Sequence, residues 1–342
     1  RDNMQRLRQF LGLEPNILVM LTALLLVGLG EEIWSRFIPK YLEFFKATPW
    51  VIAAYGTLKD LLDALYQYPG GWLADRLGRK RSLLLFILSA VLGYAIYLIS
   101  DGWWGILIGT TFVMAWSSLS SPAMFAVIGD HLPPGKRSVG FGVQSMIKRL
   151  PIIIAPGIGG LLILSLGIRQ GLRLGFILTI ACAVLSIGVV LKFYREDHQE
   201  SSDKIKIRHL WMEMDPQLKR LLLSDCLARW AEGIPKVFII LFVMNIAHAT
   251  AFEFGWLTTI QMIASILFYI PIARLSDQFN RKPFILLTFA FFALYPYMLV
   301  QSTALGWIVV AFIAGGLREI GEPARKALIV DLGKASARGR GV

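Results

Sequence analysis

The sequence predicts an all-α polytopic membrane protein, and three observations carry that expectation. Hydrophobic residues make up 56% of the 342 and charged residues only 17%, too apolar a balance for one soluble core of ordinary layout. Apolar stretches of about 20 residues or more, enough to cross roughly 30 Å of hydrocarbon at helical rise, recur along the chain. The second half also echoes the first at a spacing of about 201 residues.

Ten spans are expected. Residues 1–15 are polar, and the apolar run that follows, 16–44, is too long for a signal-peptide core and has no small-residue cleavage site, so it stays as a helix. The second span, 49–75, is expected to end at the glycine pair Gly70-Gly71, with Asp75 at the tip of a charged turn. Gly78 permits a reversal, and Arg79, Lys80 and Arg81 open the third span, 82–100. Spans 103–130, 138–166 and 170–194 complete a first bundle, residues 1–195. A polar linker, 196–217, follows; its Ser201-Ser202-Asp203-Lys204 core reads as a solvated tether, and His209-Leu210-Trp211-Met212 as a segment lying along lipid headgroups. Spans 218–246, 250–275, 282–301 and 304–331 form a second bundle, 218–342.

The formal charge of +12 does not point to nucleic acid, because of where the charge lies. Lys and Arg outside the span interiors gather at the N-terminus and in the turns after spans 2, 4, 6, 8 and 10. Only Lys46, Arg169 and Arg173 fall at the opposite ends. Such asymmetry orients short loops with their basic side toward the cytoplasm, so both termini are expected there, with membrane lipids as partners of the basic turns. No phosphate-binding glycine loop is present, Cys182 and Cys226 read as small core residues, and the four histidines have no ligand spacing. Neither a metal, nor another cofactor, nor enzymatic chemistry is expected.

Three stretches repeat in register. Asp75, Arg79 and Lys80 fall on Asp277, Arg281 and Lys282; Pro122, Ala126 and Asp130 fall on Pro323, Ala327 and Asp331; Glu31 and Ile33 fall on Glu232 and Ile234. Parallel halves related by an axis along the membrane normal are a transporter arrangement, with the substrate near the midplane between them.

Ionised side chains inside spans are costly and normally face a cavity or one another. Glu31, Glu32, Asp60, Asp63, Glu232, Arg318 and Glu319 lie closest to the midplane by count from the helix ends, with Arg36, Arg149 and Arg229 also inside spans. The i,i+4 spacing pairs Glu32 with Arg36, Lys59 with Asp63, Asp225 with Arg229, Glu232 with Lys236 and Arg318 with Glu322. Whether these pairs neutralise one another or leave a surplus of either sign is open from spacing alone.

The segment Gly71-Trp72-Leu73-Ala74-Asp75-Arg76-Leu77-Gly78-Arg79-Lys80-Arg81-Ser82-Leu83 resembles the signature G-x-L-A-D-R-x-G-R-K-x-x-L, found between helices 2 and 3 of the major facilitator superfamily, at every specified position. The resemblance implies a fold of two pseudo-symmetric six-helix bundles, with ten of twelve helices in this sequence and the last two expected to be absent. It implies that Gly71, Asp75, Arg76, Gly78, Arg79 and Lys80, with Asp277 and Arg281 in a degraded second copy, form a cytoplasmic gating motif. Asp75 would cap the N-terminus of an eleventh helix. Helices 1, 4, 7 and 10 line the cavity in that superfamily, which makes Glu31, Glu32, Glu232, Arg318 and Glu319 lining candidates.

Gly142, Pro156, Gly159 and Gly160 match four positions of the helix 5 signature of the antiporter branch, G-x8-G-x3-G-P-x2-G-G, where Pro151 and Ala155 replace glycines. A helix 1 carboxylate is similar to the proton-carrying acid of multidrug antiporters. The buried arginine of helix 4 in proton-coupled members has no counterpart in Ala115-Trp116-Ser117-Ser118-Leu119. The expected function is a monomeric secondary transporter of the bacterial inner membrane, working by alternating access, that exports amphipathic small molecules in exchange for protons. The alternatives are an uptake or exchange carrier for a small organic anion, held by Arg149, Arg229 and Arg318, a receptor of the same fold that does not transport, and a metal-ion carrier using Glu31, Glu32 and Asp63, which lacks His and Cys support.

Overall fold

The computed structural model describes residues 15–119, 134–195, 216–278, 281–302, 304–322 and 325. Both termini, most of the expected linker, and the repeat positions Pro122, Ala126, Asp130, Pro323, Ala327 and Asp331 lie outside the described residues. Among the described residues every regular element is a helix.

Helix α1, Pro15–Trp34, passes through a 3-10 turn, Ser35–Phe37, into α2, Ile38–Phe44. Pro39 opens α2 without an N–H to give back to the preceding turn, which is why the helix tightens just before it. Helix α3, Pro49–Leu77, begins with proline at its first position. It runs straight through Pro69-Gly70-Gly71, so the glycine pair does not end the span, contrary to expectation. The reversal is confined to Gly78, at φ 85°, and α4, Arg79–Ile99, starts at the next residue. Asp75, Arg76, Arg79 and Lys80 therefore stand on two helix ends and not in a loop.

Helix α5, Trp103–Met114, continues into a π-turn, Ala115–Leu119. Helix α6, Pro134–Phe193, is two helices broken at Gly167, whose φ of 79° and ψ of 164° favour a residue without Cβ. The break falls where the fifth and sixth spans are expected to part. In the second half, α7 covers Pro216–Lys236; a short turn, α8, Ile239–Leu241, leads into a second π-turn, Phe242–Ile246. Then come α9, Ala251–Gln278, α10, Arg281–Gln301, and α11, Leu305–Gly316, which ends in a 3-10 turn, Leu317–Glu319.

The halves correspond with a register that changes twice. Ile38 and Ile239, which open α2 and α8, are 201 residues apart. The starts of α3 and α9, α4 and α10, and α5 and α11 are all 202 apart. Beyond α11 the sequence match of Pro122 with Pro323 returns to 201. The second half gains its residue where it carries the π-turn Phe242–Ile246, and the first half regains it at Ala115–Leu119. A π-turn absorbs one extra residue without breaking the helix, and such turns are frequent at functional sites.

The chain divides into two compact units, one of 1–201 with 250–256 and the other of 202–249 with 257–342. Among the described residues, five helical stretches are long and apolar enough to cross a membrane: Pro15–Phe44, Arg79–Ile99, Ile147–Phe193, Ala251–Tyr269 and Lys282–Gln301. Helix α4 shows the pattern of a lipid-facing helix, since it buries Phe86, Ile87, Ala90, Tyr94 and Tyr97 and exposes Leu85, Leu88 and Leu92. An apolar face of that size is unfavourable in water and neutral in hydrocarbon.

In the first unit α1 packs mainly along α6. The two backbones meet at Gly159, where a methyl group would overlap the carbonyl oxygen of Ile33 and crowd the Phe37 ring. Small residues at such a crossing let membrane helices close on one another. Gly159→Ala is expected to lower stability by about 1–3 kcal/mol, the range for overpacking, read as a fall in thermal midpoint in detergent. An unchanged midpoint would show that the α1–α6 crossing is looser than this geometry.

Candidate functional site

In the first unit, Glu31 and Trp34 lie on adjoining turns of α1 and are held by different partners. The Tyr94 hydroxyl on α4 donates to Glu31 Oε1 at 2.5 Å. Trp34 Nε1 donates to Thr179 Oγ1 on α6 at 2.9 Å. The Trp34 ring meets Tyr94, Tyr97 and Phe176 edge-on, with centroids 5.8, 5.4 and 5.3 Å away, an arrangement aromatic quadrupoles favour. Tyr97 is fixed in turn by a 2.8 Å hydrogen bond with Thr110 on α5. Glu31 is thus a partly buried carboxylate beside a rigid aromatic wall built from three elements.

Its neighbour Glu32 pairs with Arg36 at 3.1 Å, as the spacing predicts. The expected Lys59–Asp63 pair does not form. Asp63, on α3, accepts a 2.7 Å hydrogen bond from the Ser118 hydroxyl, which the π-turn of residues 115–119 presents to it. Asp60 is exposed on α3, and Arg149 is half-buried on α6.

The second unit holds an alternating chain of acids and arginines between α7 and the segment after α11. Arg325 pairs with Asp225 and, at 2.7 Å, with Glu322. Arg229 reaches Glu322 at 2.8 Å and Glu232 at 3.0 Å. Arg318 approaches Glu232 at 3.6 Å, donates from Nε to the Gly315 carbonyl at 2.9 Å, and stacks 4.7 Å over the Tyr295 ring. Three of the expected i,i+4 pairs, Asp225–Arg229, Glu232–Lys236 and Arg318–Glu322, are replaced by these contacts. The reason is geometric: an arginine fork can serve two carboxylates at once across a helix seam, whereas one on-helix pair contributes only about 0.3–0.5 kcal/mol. Glu319 accepts from the Ser265 hydroxyl of α9 at 3.0 Å.

At the junction of α3 and α4, Arg79 bonds Asp75 at 2.9 Å and the Arg76 guanidinium lies 4.7 Å over Trp72. Lys80 donates to the carbonyls of Leu191 and Tyr194, at 3.1 and 2.9 Å. That places a cation at the negative C-terminal end of α6, where helix carbonyls lack partners. Asn16 clasps the same end through both amide atoms, at 2.9 and 3.0 Å from Arg195. Of the motif residues of the first half, Lys80 reaches this helix end, while Asp75 and Arg79 pair at the α3–α4 junction. Asp277 and Arg281 occupy the matching ends of α9 and α10, with side chains outside the described residues. Gly142, Pro156, Gly159 and Gly160 all lie on α6.

Tyr94, Thr179, Ser118, Ser265 and Tyr295 are the residues that sequence reasoning missed. Nothing marks Tyr94 out among ten tyrosines, but Ser265 was open to discovery, because it stands 202 residues beyond Asp63.

The structure thus has two units of long apolar helices, with acids and bases placed inside them and a lysine at one helix end. The profile of the Major Facilitator Superfamily matches residues 20–225 and 221–342, and the chain belongs to that family. It is 29% identical over 133 residues to a Na(+), Li(+), K(+)/H(+) antiporter of Planococcus maritimus, covering 37% of this chain and 30% of that protein. It is 26% identical over 153 residues to the class H tetracycline resistance protein of Pasteurella multocida, covering 44% and 38%. The matched stretches thus span about a third of each relative. In fold, the chain is similar to a bacterial homologue of the human lysosomal transporter Spinster, solved in an inward-facing, unoccupied conformation, with a TM-score of 0.65, 15% identity, and coverage of 92% of this chain and 74% of that one.

Proposed function

We propose that this transporter exports amphipathic, cationic small molecules in exchange for protons, by alternating access, with Glu31 as the coupling carboxylate. The observation that carries the reading is the difference between the halves. Glu31 is held by a hydroxyl and forms no ion pair among the described residues, while Arg229 and Arg318, two of the three anion ligands of the rival reading, both lie within ion-pair distance of acids. A carboxylate that holds either a proton or a cation, but not both, couples the two flows when the protein alternates between orientations. Trp34 and Tyr94, buried beside it, hold the carboxylate in place. We place the protein in the bacterial inner membrane as a monomer with a cytoplasmic N-terminus; the basic turns and the Lys80 latch support that orientation.

The names of the two relatives, a cation/proton antiporter and a tetracycline resistance protein, agree with proton-coupled efflux. The first also favours a second reading, an exporter of alkali cations. Binding to the purified Arg318→Ala variant separates these from the anion carrier, with ethidium, sodium and benzoate as probes. Retained or tighter ethidium binding is expected, with no measurable benzoate binding to either form. Sodium binding without ethidium binding would replace the organic substrate by an alkali ion. Benzoate binding that Arg318→Ala abolishes would replace export by anion uptake or exchange.

A further inference from the structure

The two carboxylates that meet a serine are related by the repeat, and their roles are exchanged. In the first unit Asp63 of α3 accepts from Ser118 in the irregular turn after α5. In the second unit Ser265 of α9 donates to Glu319 in the irregular turn after α11. Asp63 and Ser265 are equivalent, since α3 and α9 correspond at 202 residues. Ser118 and Glu319 each lie in the irregular turn that follows, after α5 and α11 respectively, 201 residues apart, the spacing of Pro122 and Pro323 just beyond it. One half carries the acid on its second span and the hydroxyl on its fourth; the other half carries them the opposite way round.

Both serines are almost wholly buried, Ser118 at 0% and Ser265 at 3% exposure. A buried hydroxyl without a partner is costly, and one that donates to a carboxylate makes a charge-assisted bond, stronger than a neutral one. The bond crosses the seam at the point where the fourth or tenth span leaves α-geometry, which is where a helix that must shift would be anchored.

We propose that Ser118 and Ser265 are positioning residues for two pathway carboxylates, Asp63 and Glu319, and that each half needs one acid and one hydroxyl across this seam, on either side of it. The proposal rests on the proton-coupled reading above. The central prediction is transposition. Ser118→Ala and Asp63→Ser should each lower gradient-driven ethidium transport in vesicles by about tenfold, the equivalent of about 1.4 kcal/mol. The double variant Asp63→Ser with Ser118→Asp should return it to within about threefold of the parent, and Ser265→Asp with Glu319→Ser should do the same for the second half. Hydrogen exchange at residues 115–118 and 317–319 supplies a readout that needs no transport: faster in the single variants, restored in the transposed pairs.

Transposed pairs that are no better than their single variants in both readouts overturn the proposal, as do single variants indistinguishable from the parent in both. Restored exchange protection in a protein whose parent shows no gradient-driven transport overturns the coupling reading while the pairing stands. Monodisperse elution from a sizing column confirms that each variant compared is folded.

Discussion

Glu31→Gln is expected to turn a concentrating transporter into one that only equilibrates its substrate. With one proton exchanged per monovalent cation, a gradient of one pH unit sustains an accumulation of about tenfold, because one unit is worth about 1.4 kcal/mol. Glutamine keeps the volume and can still accept from the Tyr94 hydroxyl, so α1 should pack as before and ethidium binding should remain measurable. The accumulation ratio should fall to about one. A Glu31→Gln, Glu32→Gln double variant that still concentrates ethidium to the parent's ratio would move the coupling site to Asp63 or Glu232.

Removal of the shared cation in the second unit should have the largest effect on stability. Arg325 serves both Asp225 and Glu322, and all three side chains are largely buried, at 15%, 17% and 19% exposure. Arg325→Met removes that partner from both Asp225 and Glu322. Breaking a buried pair by deleting one member costs about 3–5 kcal/mol, whereas replacing the whole set by apolar groups is often nearly neutral. Thermal unfolding in detergent should therefore show a large fall for Arg325→Met and a smaller one when Asp225→Leu is added. A fall below about 1 kcal/mol for the single variant, the level of exposed pairs, would mean that water reaches this network freely.

The helices were legible because apolar length and glycine placement are local properties. Gly167 separates two helices where the sequence places the gap between spans 5 and 6, and Gly78 alone makes the reversal before Arg79. The glycine pair Gly70-Gly71 misled because a membrane helix tolerates glycine and proline where neighbours pack closely. The charges were legible as a set but not as pairs. Spacing along one helix names the nearest partner on that helix; in the fold, Arg229, Arg318 and Arg325 find carboxylates on another element, and Asp63 finds a hydroxyl. Such choices depend on which helices adjoin. The register of the repeat was closer to the answer than its approximate spacing suggested, since each one-residue change marks a π-turn, and the one at Ala115–Leu119 brings Ser118 to Asp63.

Proton movement on substrate addition tests the central claim most directly. In proteoliposomes that enclose a pH-sensitive dye, with no gradient imposed, ethidium added outside should enter through the transporter and drive protons outward, so that the lumen becomes more alkaline. The Glu31→Gln protein should give no such response at equal incorporation. A lumen pH that does not change with the parent protein, or that becomes more acidic as ethidium enters, would contradict exchange of cation for proton at Glu31.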